Sequence, residues 1–116
     1  VTILLEMHGQ FYYCEYALKA VEIANHPQVA INYDSDHRDL VDGSLSFVLN
    51  KMGTYIKHVH LHDLSDETFP YPQLLCHLKA HDYQRYLPLE LSYAGQDPES
   101  IIRLSAALYR ALLRSC

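Results

Sequence analysis

Four times along the chain, a short apolar run rich in β-branched residues gives way to a segment whose apolar positions recur at helical spacing, and the four units are nearly equal in length. The runs at 1–7, 29–34, 56–63 and 86–92 have the length of strands. Between and after them, Cys14, Ala17, Leu18, Val21 and Ala24 form one helical stripe and Val41, Leu45, Val48 and Met52 a second. Tyr71, Leu74, Leu75 and Leu78 form a third, and Ile101, Leu104, Leu108 and Leu112 a fourth. Strands alternating with helices pair in parallel through right-handed crossovers, so the predicted class is α/β with helices covering the sheet. Such a sheet is either open and doubly wound or part of a closed barrel. A (β/α)8 barrel takes about 30 residues per unit. Four units in 116 residues give about 29 each, which predicts half of such a barrel as a single unit over residues 1–116.

Local punctuation agrees with the stripes. Gly53 suits a helix C′ position, Pro72 an N1 position, and Asp97-Pro98 an N-cap followed by N1. Hydrophobic residues make up 49% of the chain and charged residues 20%, enough apolar content for one core, and no stretch approaches the ~18 uncharged apolar residues of a membrane span. A net charge of −5 weighs against a nucleic-acid backbone or an anionic membrane surface as partner. Cys14, Cys76 and Cys116 are odd in number, far apart and without a C-x-x-C pair, so free thiols in a reducing, cytoplasmic setting are expected. Val1 opens straight into a strand without a basic leader, so no signal peptide is expected, and a start in mid-strand points to a piece of a longer chain.

Strand parity carries the chemistry. Alternate side chains share a face, and each run has one greasy face: Ile3, Leu5 and Met7; Ile31 and Tyr33; Val59 and Leu61; Leu87, Leu89 and Leu91. The other face carries Glu6, Asp34, His60 and Glu90, spaced by 28, 26 and 30 residues, at the same place in each unit and near the strand's carboxyl end. Ligands of parallel α/β proteins gather at that end. Three carboxylates brought together require a cation between them or a proton on one of them. Three oxygen donors with one imidazole suit Mn²⁺, Mg²⁺ or Co²⁺, with zinc a further candidate. His8, His58 and His62 lie near this face and are weaker candidates, with supporting or exposed roles.

These stretches resemble the second half of the xylose isomerase-like (β/α)8 barrels, which include sugar phosphate isomerases and epimerases, ketose 3-epimerases, hydroxypyruvate isomerases and apurinic-site endonucleases. Leu4-Leu5-Glu6 is similar to the fifth-strand Glu motif and Asp34-Ser35-Asp36-His37 to the sixth-strand Asp-x-x-His. His58-Val59-His60-Leu61-His62-Asp63 is similar to the seventh-strand His-x-His-x-x-Asp, and Leu89-Glu90 to the eighth-strand Glu. The resemblance implies Glu6, Asp34, His60 and Glu90 as metal ligands and His37 as a substrate-binding group. It implies aldose–ketose isomerisation or epimerisation of a small sugar or hydroxy-carbonyl compound, with Glu6 and Glu90 removing and returning a proton through an enediolate. The chain departs from standard ketose 3-epimerases at Asp66, where they carry Arg, and at Tyr12, where a second Glu is often found.

Two other readings compete with the isomerase. A half-barrel has unpaired edges and an uncovered polar face, so the chain is expected to form a homodimer or to complement a missing N-terminal half, and in that setting it binds metal without catalysis. An apurinic-site endonuclease shares the Glu and Asp-x-x-His motifs but needs basic and wedge residues to grip DNA, which the charge of −5 disfavours.

Overall fold

The computed structural model describes residues 1–93 and 95–116. Three strands, β1 (Ile3–Glu6), β2 (Val29–Asp34) and β3 (Ile56–His60), form a parallel sheet in the order β1-β2-β3. Helix α1 (Cys14–Ala24) follows β1, α2 (Ser46–Met52) follows β2, and α3 (Tyr71–Ala80) and α4 (Pro98–Arg114) follow β3. The expectation of four βα units making half of a (β/α)8 barrel is therefore corrected: the described residues form a small α/β domain with three parallel strands and four α-helices.

The reason lies at Pro88. The fourth apolar run joins the sheet through a single parallel bridge, Leu61 with Leu89, in which the Leu61 N–H donates to the Pro88 carbonyl at 2.9 Å and the Glu90 N–H to the Leu61 carbonyl at 2.7 Å. In a parallel ladder the preceding bond would run from the N–H of residue 88 to the carbonyl of Val59, and proline has no N–H to give. Flanking residues Tyr86 and Tyr93 are 85% and 77% exposed.

On β2 and β3 the core forms where parity placed it, while Leu87, Leu89 and Leu91 of the fourth run are only half-buried. Ile31, Tyr33, Val59 and Leu61 are buried against Leu45, Val48, Leu49 and Met52 from the α2 region and Leu74, Leu75 and Leu78 from α3, while α1 adds Cys14, Ala17 and Val21. On β1 only Met7 of the expected apolar face is buried, and Ile3 on the open edge is 66% exposed. The second stripe begins later than its spacing suggests: Asp42 and Gly43 both adopt positive φ in a tight turn that brings Val41 and Ser44 together, which leaves Val41 exposed and starts α2 at Ser46. Gly53 ends α2 without a left-handed turn, and glycine is needed there for space, because a Cβ would stand 2.6 Å from the Leu49 carbonyl oxygen. Asp97 caps α4 as expected, accepting from the Ser100 N–H at 3.1 Å.

Helix α4 packs loosely. None of its residues is buried, and Leu108, Tyr109, Leu112 and Leu113 are only partly covered by the core. It is tied down covalently, because Cys76 of α3 and Cys116 form a disulfide, and Lys79 donates to the Leu113 carbonyl at 3.2 Å. The expectation of three free thiols holds only for Cys14, which is buried. A separation of 40 residues hides a pairing that the packing of α4 on α3 brings to a Cα–Cα distance of 5.2 Å. Among the described residues, no helix is long and apolar enough to cross a membrane.

Candidate metal centre

The polar side of the sheet gathers ionisable groups in two connected sets. In the first, His60 Nδ1 lies 2.9 Å from a Glu90 carboxylate oxygen and 3.3 Å from a Glu6 carboxylate oxygen. One donor atom from each of Glu6, His60 and Glu90 falls within 4.8 Å of the others. Each residue arrives there for a local reason. Glu6 ends β1, whose partner in register is Asn32, and His60 ends β3 opposite Asp34. Glu90 depends on the Leu61–Leu89 bridge, because its N–H is held by Leu61 and its carbonyl by His62 Nδ1 at 2.8 Å. One bridge thus does for Glu90 what a whole strand was expected to do.

In the second set, Asp34 meets His62 rather than Glu6, His60 and Glu90. His62 Nε2 is 2.7 Å from Asp34 Oδ1. Asp34 shares its face with His60 as parity requires, but its side chain reaches His62, two residues beyond the end of β3, so the expected quartet separates into Glu6, His60 and Glu90 on one hand and an Asp34–His62 pair on the other. A carbonyl can only accept, so His62 Nδ1 donates to Glu90, and Nε2 faces the Asp34 carboxyl, with which it forms an ion pair when the ring is protonated. Burial pulls the His62 pKa down, but the Glu90 carbonyl and the Asp34 carboxylate outweigh it and raise the value overall. Burial raises Asp34 in turn, with His62 opposing and Glu90 adding to the rise.

The trio has the marks of a cation site. His60 Nδ1 is buried and, although close to both carboxylates, is aligned with neither as a hydrogen bond requires. Its other nitrogen, Nε2, lies 3.1 Å from the side-chain amide of Asn32, whose Oδ1 is also buried and without a partner. Turning that amide by 180° lets Oδ1 accept from the Nε2–H and leaves the Nδ1 lone pair facing Glu6 and Glu90, the tautomer a metal ligand requires. Two bonds of about 2.0–2.6 Å to one ion reach across about 5 Å at most, and the 4.8 Å envelope satisfies that limit. Two carboxylates and a neutral imidazole carry a charge that a divalent cation balances. Asn32, buried at 7% exposure, is the residue beside His60 that sequence reasoning passed over. Its parity with Asp34 was the available signal.

His37, expected to touch substrate, sits in a 3₁₀ turn over His37–Asp39. Its Nε2 is 2.7 Å from Thr68 Oγ1 and 3.3 Å from the Asp66 carboxylate, with the ring edge-on to Phe69. It thus joins the loop that follows β3, and the Asp66 that departs from the ketose epimerase pattern is its partner. His58 shares the polar face with His60, the rings lying 5.5 Å apart, and burial together with His60 and Arg85 lowers its pKa.

The chain matches no protein-family model, no curated protein and no solved structure. The functional reading therefore stands on the geometry of this site and on the motifs in the sequence.

Proposed function

We propose that the protein binds one divalent metal ion through Glu6, His60 and Glu90 and acts with it on a small sugar or hydroxy-carbonyl compound, as an isomerase or epimerase. The observation that supports this reading is the convergence of the three donors within 4.8 Å around an unsatisfied His60 Nδ1. The carboxylate-rich donor set favours Mn²⁺, Mg²⁺ or Co²⁺, with Zn²⁺ next. When bound, such an ion polarises carbonyl and hydroxyl oxygens. Glu6 and Glu90, about half exposed, present carboxylates to solvent and serve as the proton-accepting and proton-returning groups. Asn32 holds the His60 ring, and His62 pairs with Asp34 and anchors the Glu90 backbone.

A second reading, metal binding without catalysis, is favoured by the same spacing. A substrate carbon flanked by two reacting oxygens needs about 6 Å between them, and the donor atoms of Glu6 and Glu90 lie within 4.8 Å. In that reading the open β1 edge, with Ile3 exposed, is where a second copy or another segment completes the sheet. A cytoplasmic setting has the Cys76–Cys116 bond against it.

Solvent-deuterium exchange separates the two readings. Protein loaded with Mn²⁺ is incubated in D₂O with triose, tetrose and pentose sugars and followed by NMR. The isomerase reading expects deuterium at the carbon next to the carbonyl and its loss in Glu90→Gln; metal binding with no exchange into any of these sugars leaves the non-catalytic reading.

A further inference from the structure

On the helix-covered side of the sheet, away from Glu6, His60 and Glu90, an apolar cavity of about 370 Å³ lies between α4 and the chain at 85–89. It follows from two features already described: α4 buries none of its residues, and the fourth apolar run is held by one bridge. Leu61, Leu89, Ile102 and Ala106 supply apolar wall, Ser105 a hydroxyl, and Arg85 the single charged group of the lining. Pockets of roughly 300–1,000 Å³ with mostly apolar walls and a few polar groups are typical of small-molecule sites. Among the described residues Arg85 forms no ion pair, since the acidic groups in such pairs are engaged by His37, Arg38, His60, His62 and Arg103. A guanidinium stays charged at any physiological pH and fits a carboxylate with two parallel hydrogen bonds.

We propose that this cavity binds a small amphipathic carboxylate, its hydrocarbon chain between Leu61, Leu89, Ile102 and Ala106 and its carboxylate on Arg85. Charge complementarity selects the ligand: an apolar slot whose one charged group is an unpaired cation favours an anionic head over a neutral or cationic head on the same chain. The site stands apart from the metal centre, because Leu61 and His60 lie on opposite faces of the sheet.

The test is calorimetric titration of the full chain with octanoate, octanamide and octylammonium. Octanoate is expected to bind about tenfold or more tightly than octanamide, the factor a charge-assisted hydrogen bond represents, with octylammonium weakest. Arg85→Gln, at an exposed position where folding is not at stake, is expected to bring octanoate down to the affinity of octanamide, and Ala106→Phe to fill the cavity and remove binding of all three. No octanoate binding at millimolar concentration, equal affinity for octanoate and octylammonium, or an Arg85→Gln variant that keeps the full preference for octanoate would each overturn the proposal.

Discussion

Asp34 is paired with His62 at 2.7 Å, and His62 in turn holds the carbonyl of Glu90 at 2.8 Å. The His62 ring therefore links the carboxylate that leaves the predicted metal quartet to the backbone of one that stays. Replacing His62 by Gln leaves Asp34, whose side chain is 8% exposed, without its charged partner, and a buried acceptor stripped of its partner costs about 1–3 kcal/mol. Urea denaturation at pH 6 checks this. The sign of the pH dependence follows from the raised His62 pKa: its contribution is fully present below about 6.5, the unfolded value, and fades as the pH climbs through the higher folded value. Wild-type stability is expected to fall across that window, and His62→Gln to flatten the fall.

Asp39 gives a second pH signature from the other side of β2. It is 3% exposed with Oδ2 unpartnered, and burial pushes its pKa up to about 7, against the pull of the nearby Tyr33 hydroxyl. A folded value raised above the unfolded ~3.9 means the carboxylate is neutral in the fold where it would ionise in the open chain. Stability from this group is present below about pH 4 and is lost as the pH rises to about 7. The Asp39→Asn variant is expected to be more stable than wild type at pH 8, by up to ~4 kcal/mol, with little difference at pH 4. Thermal melts at the two pH values read the crossover.

The Cys76–Cys116 bond closes a 40-residue span and secures a helix with no buried residue. In the chain-entropy account a loop of that length is worth about 4 kcal/mol. Reduction, or Cys116→Ser, is expected to lower stability by about 2–4 kcal/mol and to raise amide exchange in α4 more than in β2. Denaturant titration with and without reductant, followed by hydrogen exchange, provides both readouts.

Pro88 accounts for the missing fourth strand, and restoring a donor there tests that account. Pro88→Val supplies an N–H opposite the Val59 carbonyl. The expected result is a slowly exchanging amide at residue 88, with a change in overall stability within about 1 kcal/mol, because one hydrogen bond gained is set against the rigidity of proline lost.

The inward faces of β2 and β3 and the positions of the helices were readable, although the four-unit half-barrel was not, because period-2 and period-3.6 patterns report burial directly. Ile31, Tyr33, Val59 and Leu61 alternate into the core as parity requires, and Asp97-Pro98 caps α4. Features that need backbone donors or three-dimensional reach were not readable in that way. An apolar count treats Pro88 as one more residue of a strand, although it lacks the N–H that the ladder asks for at that position. Parity correctly puts Asp34 and His60 on one face, yet it is blind to the lean of the Asp34 side chain toward His62. Asn32 escaped notice because a lone amide carries no charge to mark it. The cysteine pairing depends on where α4 docks, and no spacing rule contains that.

The central claim, that Glu6, His60 and Glu90 hold one divalent cation, is tested most directly by titrating Mn²⁺ into the metal-free protein and following free Mn²⁺ by electron paramagnetic resonance. One Mn²⁺ per chain is expected, with affinity reduced about tenfold or more in Glu90→Gln and His60→Gln, the factor that ~1.4 kcal/mol of lost ligation represents, and unchanged in Arg85→Gln. Folded protein that binds no Mn²⁺, or binds it equally well without Glu90 and His60, would contradict the account.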